Sequence, residues 1–209
     1  MRILLAAILL FRTATFVTAA DTDGITAIGD VHGDIDTFRL LLRKVQLTDE
    51  QDRWIGGARR FIQTGDFLDR GARSRQVVDL LMRLEEEARA AGGRVTVLLG
   101  NHEVMNLVGD LVSTTYEEFK AFQAEEAPAA RAARRGRWLL EHDIIHREER
   151  TLFLHAGLSA RFGTMPPEEM NRKAREALGK HLGAVQELEK LGVFDEALGY
   201  RELLWLVEE

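Results

Sequence analysis

Cysteine is missing from the 209-residue chain. Its absence excludes disulfides and thiolate metal sites, so any bound metal must be held by His, Asp, Glu or Asn. A surplus of positive charge is missing too, since 28 Lys and Arg face 34 Asp and Glu for a formal net charge of −6. That balance gives no support for broad binding to nucleic acid or anionic membranes, although it leaves room for a local patch. The apolar run of residues 3–11 is too short to span a membrane. Internal repeats, low-complexity tracts and a second domain are not discernible. With 45% hydrophobic and 30% charged residues, the chain reads as one α/β domain long enough to bury a sizeable core.

The start of the chain has the grammar of an export signal. Met1-Arg2 is a short positive opening, residues 3–11 are apolar, and Thr18-Ala19-Ala20 offers small residues before Asp21. This predicts a signal peptide over 1–20, a mature domain over 21–209, and a place in a bacterial periplasm or the medium. No stable membrane association is expected once the signal is removed.

Three segments repeat one pattern: an apolar strand-like run, a glycine, polar residues able to bind metal, then a helix-like stretch. The first is Ile25-Thr26-Ala27-Ile28-Gly29-Asp30-Val31-His32-Gly33-Asp34, followed by a helix with Phe38, Leu41, Leu42 and Val45 on its apolar side. The second is Phe61-Ile62-Gln63-Thr64-Gly65-Asp66-Phe67-Leu68-Asp69-Arg70-Gly71, and its helix sets Val77, Val78, Leu81 and Leu84 at core-facing spacing. The third is Val95-Thr96-Val97-Leu98-Leu99-Gly100-Asn101-His102-Glu103. Alternating strands and helices predict a layered α/β arrangement with neighbouring strands, and ligands of such sheets gather beyond the carboxyl ends of the strands. All three polar clusters are therefore expected in one crevice.

Residues 104–142 read as a helical insertion beside that crevice. A strand pair over 143–146 and 151–154 is expected next, ending in His155-Ala156-Gly157-Leu158, and helix from Pro166 to about Leu191. His142, His146 and His181 read as surface or structural. Trp54, Trp138 and Trp205 read as packing anchors. Glu85, Glu86 and Glu87, and the stretch Arg131, Arg134, Arg135 and Arg137, read as solvated helix faces.

Asp30, His32, Asp66, Asn101 and His155 are oxygen and nitrogen donors suited to Mn, Fe or Zn. Asp30 and His32 stand two residues apart, so an extended segment can aim both at one ion. Asp66 can bridge two ions, while Asn101 and His155 add an oxygen and a nitrogen to the second. Two such ions about 3.5–4 Å apart acidify a bridging water and clamp an in-line displacement at phosphorus. His102 is the candidate general acid, Asp69 the partner holding it cationic, and Arg70 a planar fork for phosphate oxygens. Asp34 and Glu103 are candidates for orienting these groups by hydrogen bonds.

Gly29-Asp30-Val31-His32-Gly33, Gly65-Asp66-Phe67-Leu68-Asp69-Arg70-Gly71 and Gly100-Asn101-His102-Glu103 together resemble the three signature motifs of the phosphoprotein phosphatases, a branch of the calcineurin-like metallophosphoesterases. The motifs stand in the family's order, and three in order are far more specific than any one. His155-Ala156-Gly157-Leu158 is similar to the fourth motif, and Gly100 to Leu107 followed by Gly109-Asp110 resembles the bacterial, Shewanella-like branch. The resemblance covers roughly residues 25–206. It implies an αββα sandwich around two divalent ions, manganese first, with Asp30, His32 and Asp66 on one and Asp66, Asn101 and His155 on the other. It implies hydrolysis of a phosphorylated protein (Ser/Thr or Tyr) or a small phosphomonoester by a metal-bound hydroxide, with His102 and Asp69 as the acid and Arg70 on the phosphate. Two alternatives are a diadenosine-polyphosphate-type hydrolase and a pseudophosphatase that binds metal or phosphoprotein without turnover. Family members continue beyond the Leu204-Trp205 segment into strands that carry a further histidine ligand. Since residue 209 is the last, the second sheet is expected to be incomplete, with the C-terminal strands missing.

Overall fold

A computed structural model describes residues 24–123 and 128–190. The expectations for the export signal at 1–20, for Trp205 and for the chain after Lys190 lie outside the described residues. Strands β1 (Ile25–Ile28), β2 (Arg60–Gln63) and β3 (Arg94–Val97) form one parallel sheet with β2 in the centre. Their register is flush, with Ile25 beside Arg60 and Arg60 beside Arg94 at one end, and Ile28 beside Gln63 and Gln63 beside Val97 at the other. All three polar clusters therefore leave the sheet at the same edge.

Helices α1 (Ile35–Lys44) and α2 (Ser74–Ala90) make the crossovers. Asp34 caps α1 by accepting the Thr37 N–H at 3.1 Å, so it starts a helix and does not orient a ligand. On α2 the stripe Val77, Val78, Leu81 and Leu84 is fully buried; each such side chain stabilises the fold by about 1.5–3 kcal/mol. The stripe on α1 is narrower than its spacing predicts. Ile35, Phe38 and Leu42 enter the core, whereas Leu41 and Val45 remain more than a third exposed.

The segment after β3 contains α3 (Asn101–Val108), α4 (Tyr116–Gln123) and α5 (Pro128–Glu141). Strands β4 (Ile145–Glu148) and β5 (Thr151–Leu154) then pair antiparallel, so the first begins two residues later than expected. Residue 143 is taken instead by a parallel bridge to Leu98, its carbonyl accepting the Leu99 N–H at 2.9 Å. That bridge ties the hairpin to the first sheet. Helix α6 (Pro167–Lys190) packs on β4 through Asn171, whose Oδ1 accepts the N–H groups of Ile144 and Ile145 and whose Nδ2 donates to Ile145 O. A side-chain amide thus stands in for a neighbouring strand.

Two surface expectations fail because their partners lie far off in sequence. Arg135 is buried and grips Asp79 with two N–H···O bonds of 2.9 Å, while Arg134 stays exposed. Glu85 accepts the Trp138 indole N–H at 2.7 Å and Glu87 accepts the Trp54 backbone N–H at 2.7 Å. His146 pairs with Glu148, which also receives Arg60 and Arg94 from the starting ends of β2 and β3. His146 therefore sits at the end of the sheet opposite the polar clusters. His181 meets only a backbone carbonyl, that of Val108.

Candidate metal centre

The three loops beyond the sheet are bound to one another before any ligand is considered. Val31 N and His32 N donate to Asp66 O, and Gly33 N donates to Phe67 O, joining the first loop to the second. Glu103 joins the second to the third. Its carboxylate, wholly buried, accepts four backbone N–H groups: Asp66 at 2.8 Å, Phe67 at 2.9 Å, Leu68 at 3.0 Å and Gly100 at 2.8 Å. Burial pushes its pKa up, the N–H groups pull it down, and the neighbouring Asp66 charge adds to the rise. Gln63, at the end of the central strand and also buried, closes the same edge. Its Nε2 donates to Gly29 O and Gly65 O, and its Oε1 accepts the Gly65 N–H.

Packing this tight requires glycine at two points. A Cβ on Gly100 would collide with Asp66, and one on Gly71 would collide with His32 O. Four site residues that are not glycine adopt left-handed backbone: His32 (φ 46°), Asp66 (57°), Asp69 (62°) and Arg70 (62°). Such conformations cost roughly 1–3 kcal/mol each and persist only where the surroundings impose them.

Asp66 is the hub. Its Oδ1 accepts the His102 backbone N–H at 3.1 Å. Its Oδ2 lies 3.2 Å from His155 Nε2, 3.7 Å from His32 Nε2 and 3.8 Å from His102 Nε2. Asp30, half exposed at the mouth, stands 3.6 Å from His32 Nε2 and 3.8 Å from His155 Nδ1. Two groups of donors result, His32–Asp66–His102 and Asp30–Asp66–His155, each with its ligand atoms within 4.8 Å of one another. Both share Asp66 because β2 is the central strand and its loop faces both neighbours. His32 Nε2 also faces both Asp30 and Asp66, the partners that family resemblance implies for it on one ion. Asn101, exposed at the first turn of α3, turns its amide nitrogen toward Met105 Sδ at 3.8 Å.

The donors fit a cation. His32 Nδ1 meets Leu68 O at 2.9 Å, and a carbonyl only accepts, so Nδ1 carries a hydrogen and the neutral ring would present its Nε2 lone pair to the cluster. That Nε2 is buried, has no hydrogen-bond partner among the described residues, and faces two carboxylates. An imidazole nitrogen and two carboxylates converging on one point are an arrangement a metal ion satisfies, and the Leu68 carbonyl behind the ring fixes its orientation.

Beside this cluster His102, almost fully buried, donates from Nδ1 to Asp69 Oδ2 at 2.9 Å. Arg70, exposed, donates from its guanidinium to His102 Nε2 at 3.1 Å. Sequence reasoning passed over Gln63, Asn106, Thr114 and Glu118, all of which bind backbone or carboxylate groups of the site. The available signal was a polar residue at the last position of a buried strand, or within an otherwise helical stretch.

A parallel sheet whose strand ends bring Asp30, His32 and His102 to one shared carboxylate, Asp66, defines a class. The chain belongs to the calcineurin-like phosphoesterase family, whose pattern matches residues 24–206. Members of this metallophosphoesterase family depend on metal ions, and their mixed α/β fold is the one described above. Among curated relatives, Shewanella-like protein phosphatase 2 of Arabidopsis thaliana is 40% identical over 99 residues, covering 47% of this chain and 25% of that protein. Shewanella-like protein phosphatase 1 of Plasmodium berghei (strain Anka) is 31% identical over 160 residues, covering 72% of this chain and 43% of that protein. The crystal structure of the cold-active protein-tyrosine phosphatase of a psychrophilic Shewanella species matches 89% of this chain and 63% of its own, with a TM-score of 0.68 and 28% identity. The chain thus spans less than half the length of these two curated relatives.

Proposed function

We propose that this protein hydrolyses phosphate monoesters, with phosphorylated protein side chains as the substrate class. The observation that carries the reading is the buried His32 Nε2, without a hydrogen-bond partner among the described residues and aimed at Asp30 and Asp66, next to an acid pair, His102–Asp69, and an exposed guanidinium, Arg70. Asp30, His32, Asp66, Asn101 and His155 would hold two divalent ions, manganese first and iron or zinc as alternatives. Bound there, such a pair supplies Lewis acidity toward phosphoryl oxygens and an acidified water for in-line attack.

The chain's own residues handle binding and protons. Arg70 swings from His102 to phosphate oxygens, where its planar fork makes paired charged hydrogen bonds. That move clears His102 Nε2, which takes up a proton from solvent and passes it to the departing oxygen. Asp69, fixed on Nδ1, stabilises the imidazolium charge in a site where water is largely excluded. Phosphotyrosine is the favoured residue. The Shewanella structure carries a tyrosine-phosphatase name, and exposed Val112 and Tyr116 flank Thr114, which touches Asp69. Export rests on the residues 1–20 pattern alone and is tested by cell fractionation.

The experiment is Mn²⁺-dependent hydrolysis of p-nitrophenyl phosphate by the full chain and by Asp66→Asn, followed by a panel of phosphotyrosyl and phosphoseryl peptides and diadenosine tetraphosphate. Turnover reduced at least about 10²-fold in the variant is expected. Equal turnover in both proteins would sink the reading. A preference for the dinucleotide would move it to the polyphosphate-hydrolase alternative.

A further inference from the structure

Asp69 is fully buried, and its partners lie mostly in the insertion after β3. Its Oδ2 is shared between His102 Nδ1 at 2.9 Å and Asn106 Nδ2 at 2.8 Å. Its Oδ1 accepts the Thr114 hydroxyl at 2.7 Å, and its N–H donates to Glu118 Oε1 at 3.1 Å. The next amide, Arg70 N, donates to Ser113 O at 3.1 Å. Asn106 belongs to α3, Ser113 and Thr114 to the loop that follows, and Glu118, itself buried, to α4.

We infer that Asn106, Thr114 and Glu118 are positioning residues for proton delivery: they lock Asp69, and so the His102 ring, in the pose that serves the leaving group. The inference rests on the phosphohydrolase reading above and deepens it. A carboxylate bonded through one oxygen alone can rotate about its terminal torsion. Here Thr114 fixes Oδ1 while Asn106 and His102 divide Oδ2, so one orientation satisfies all three donors. Asp69 and Arg70 also stand consecutively in left-handed backbone, at φ 62° each, a state held only by external bonds. Glu118 and the Ser113 carbonyl take those two amides. The insertion therefore acts on the chemistry through Asp69.

A merely structural role and a positioning role differ in how the loss depends on the leaving group. A poor leaving group such as phenoxide needs protonation in the transition state, and a good one such as 2,4-dinitrophenoxide does not. For Thr114→Val in the full chain with Mn²⁺, turnover of phenyl phosphate should fall about tenfold further than that of 2,4-dinitrophenyl phosphate, and Thr114→Ser should restore it. Asn106→Ala is the second variant should Thr114→Val not fold. In the metal-free protein, amide exchange at Asp69 and Arg70 should quicken in both variants while the amides bound by Glu103 keep their protection. Equal losses on the two substrates, or unchanged exchange at Asp69 and Arg70, would overturn the inference. Wild-type protein inactive on both substrates would instead sink the hydrolase reading, and the exchange measurement would still decide whether Asp69 is held from the insertion.

Discussion

The three loops of the parallel sheet and the loop that carries His155 are built in opposite ways. The first set is cross-bonded by backbone pairs, by Gln63, and by a buried carboxylate that collects four amides. The second follows a two-stranded hairpin, and from Ala156 to Thr164 every residue is exposed. His155 touches the centre through Asp66 at 3.2 Å and Asp30 at 3.8 Å. One side of the site is organised by the fold itself. The other depends on what binds between the side chains, and binding energy spent there appears as stability of the hairpin.

The largest expected effect comes from breaking the organised side. Glu103→Ala leaves four buried N–H groups without an acceptor, at about 1–3 kcal/mol each if none finds water. Urea unfolding should show a loss of at least about 4 kcal/mol, the exceptional range for one substitution. A loss below about 1 kcal/mol would mean the loops are held by something other than this carboxylate.

His155→Ala should produce the reverse pattern. Metal-free stability should change by less than about 1 kcal/mol, because the side chain is partly exposed and lacks backbone partners. Saturating Mn²⁺ should raise the melting temperature of the wild type by several degrees, since a ligand at a hundred times its Kd adds about 2.7 kcal/mol. At least half of that gain should vanish in the variant, as read by differential scanning calorimetry. Next in size, Mn²⁺ should slow amide exchange in β4 and β5 of the wild type more than at residues 66–68. Uniform slowing would erase the contrast between the two sides.

The smallest effect tests a region outside the comparison. A cavity of about 470 Å³ lies between α2, the start of β3 and the end of α5, lined by Glu85, Arg94 and Trp138. Burial pushes the Glu85 carboxyl up to about 7 and the nearby His142 imidazole down to about 4. A raised carboxyl adds stability below its ordinary value near 4.5 that is lost as pH climbs through 7. His142 runs the other way, its contribution present above 6.5 and lost as pH falls through 4. Below pH 6.5 the two slopes oppose each other, so Glu85 is read from the difference between wild type and Glu85→Gln: between pH 5 and 8 the wild type should lose on the order of 1–3 kcal/mol relative to that variant, discounted for partial exposure. A difference between the two proteins that does not depend on pH over this range would show that Glu85 ionises freely.

Much of this arrangement was legible because the relevant forces are local. An apolar run ending in glycine and then Asp or Asn-His marks a strand end, whatever lies elsewhere. The α2 stripe and the span of α6 follow from helical spacing alone. Misreadings cluster where partners are distant in sequence. Glu85 finds Trp138, Glu87 finds Trp54 and Arg135 finds Asp79, so residues that look solvated are anchored. Leu41 and Val45 look apolar enough for the core, yet both remain more than a third exposed.

By itself the sequence determined the class of chemistry, since without cysteine only oxygen and nitrogen donors were available and three motifs placed them at strand ends. It also determined the parallel order of the elements that carry them. Tertiary structure alone decided that Asp66 would face three imidazoles, that Glu103 would hold two loops together, and that Asn106, Thr114 and Glu118 would close around Asp69. A motif specifies which groups a loop offers, but a buried carboxylate is oriented by whichever donors the rest of the chain folds against it.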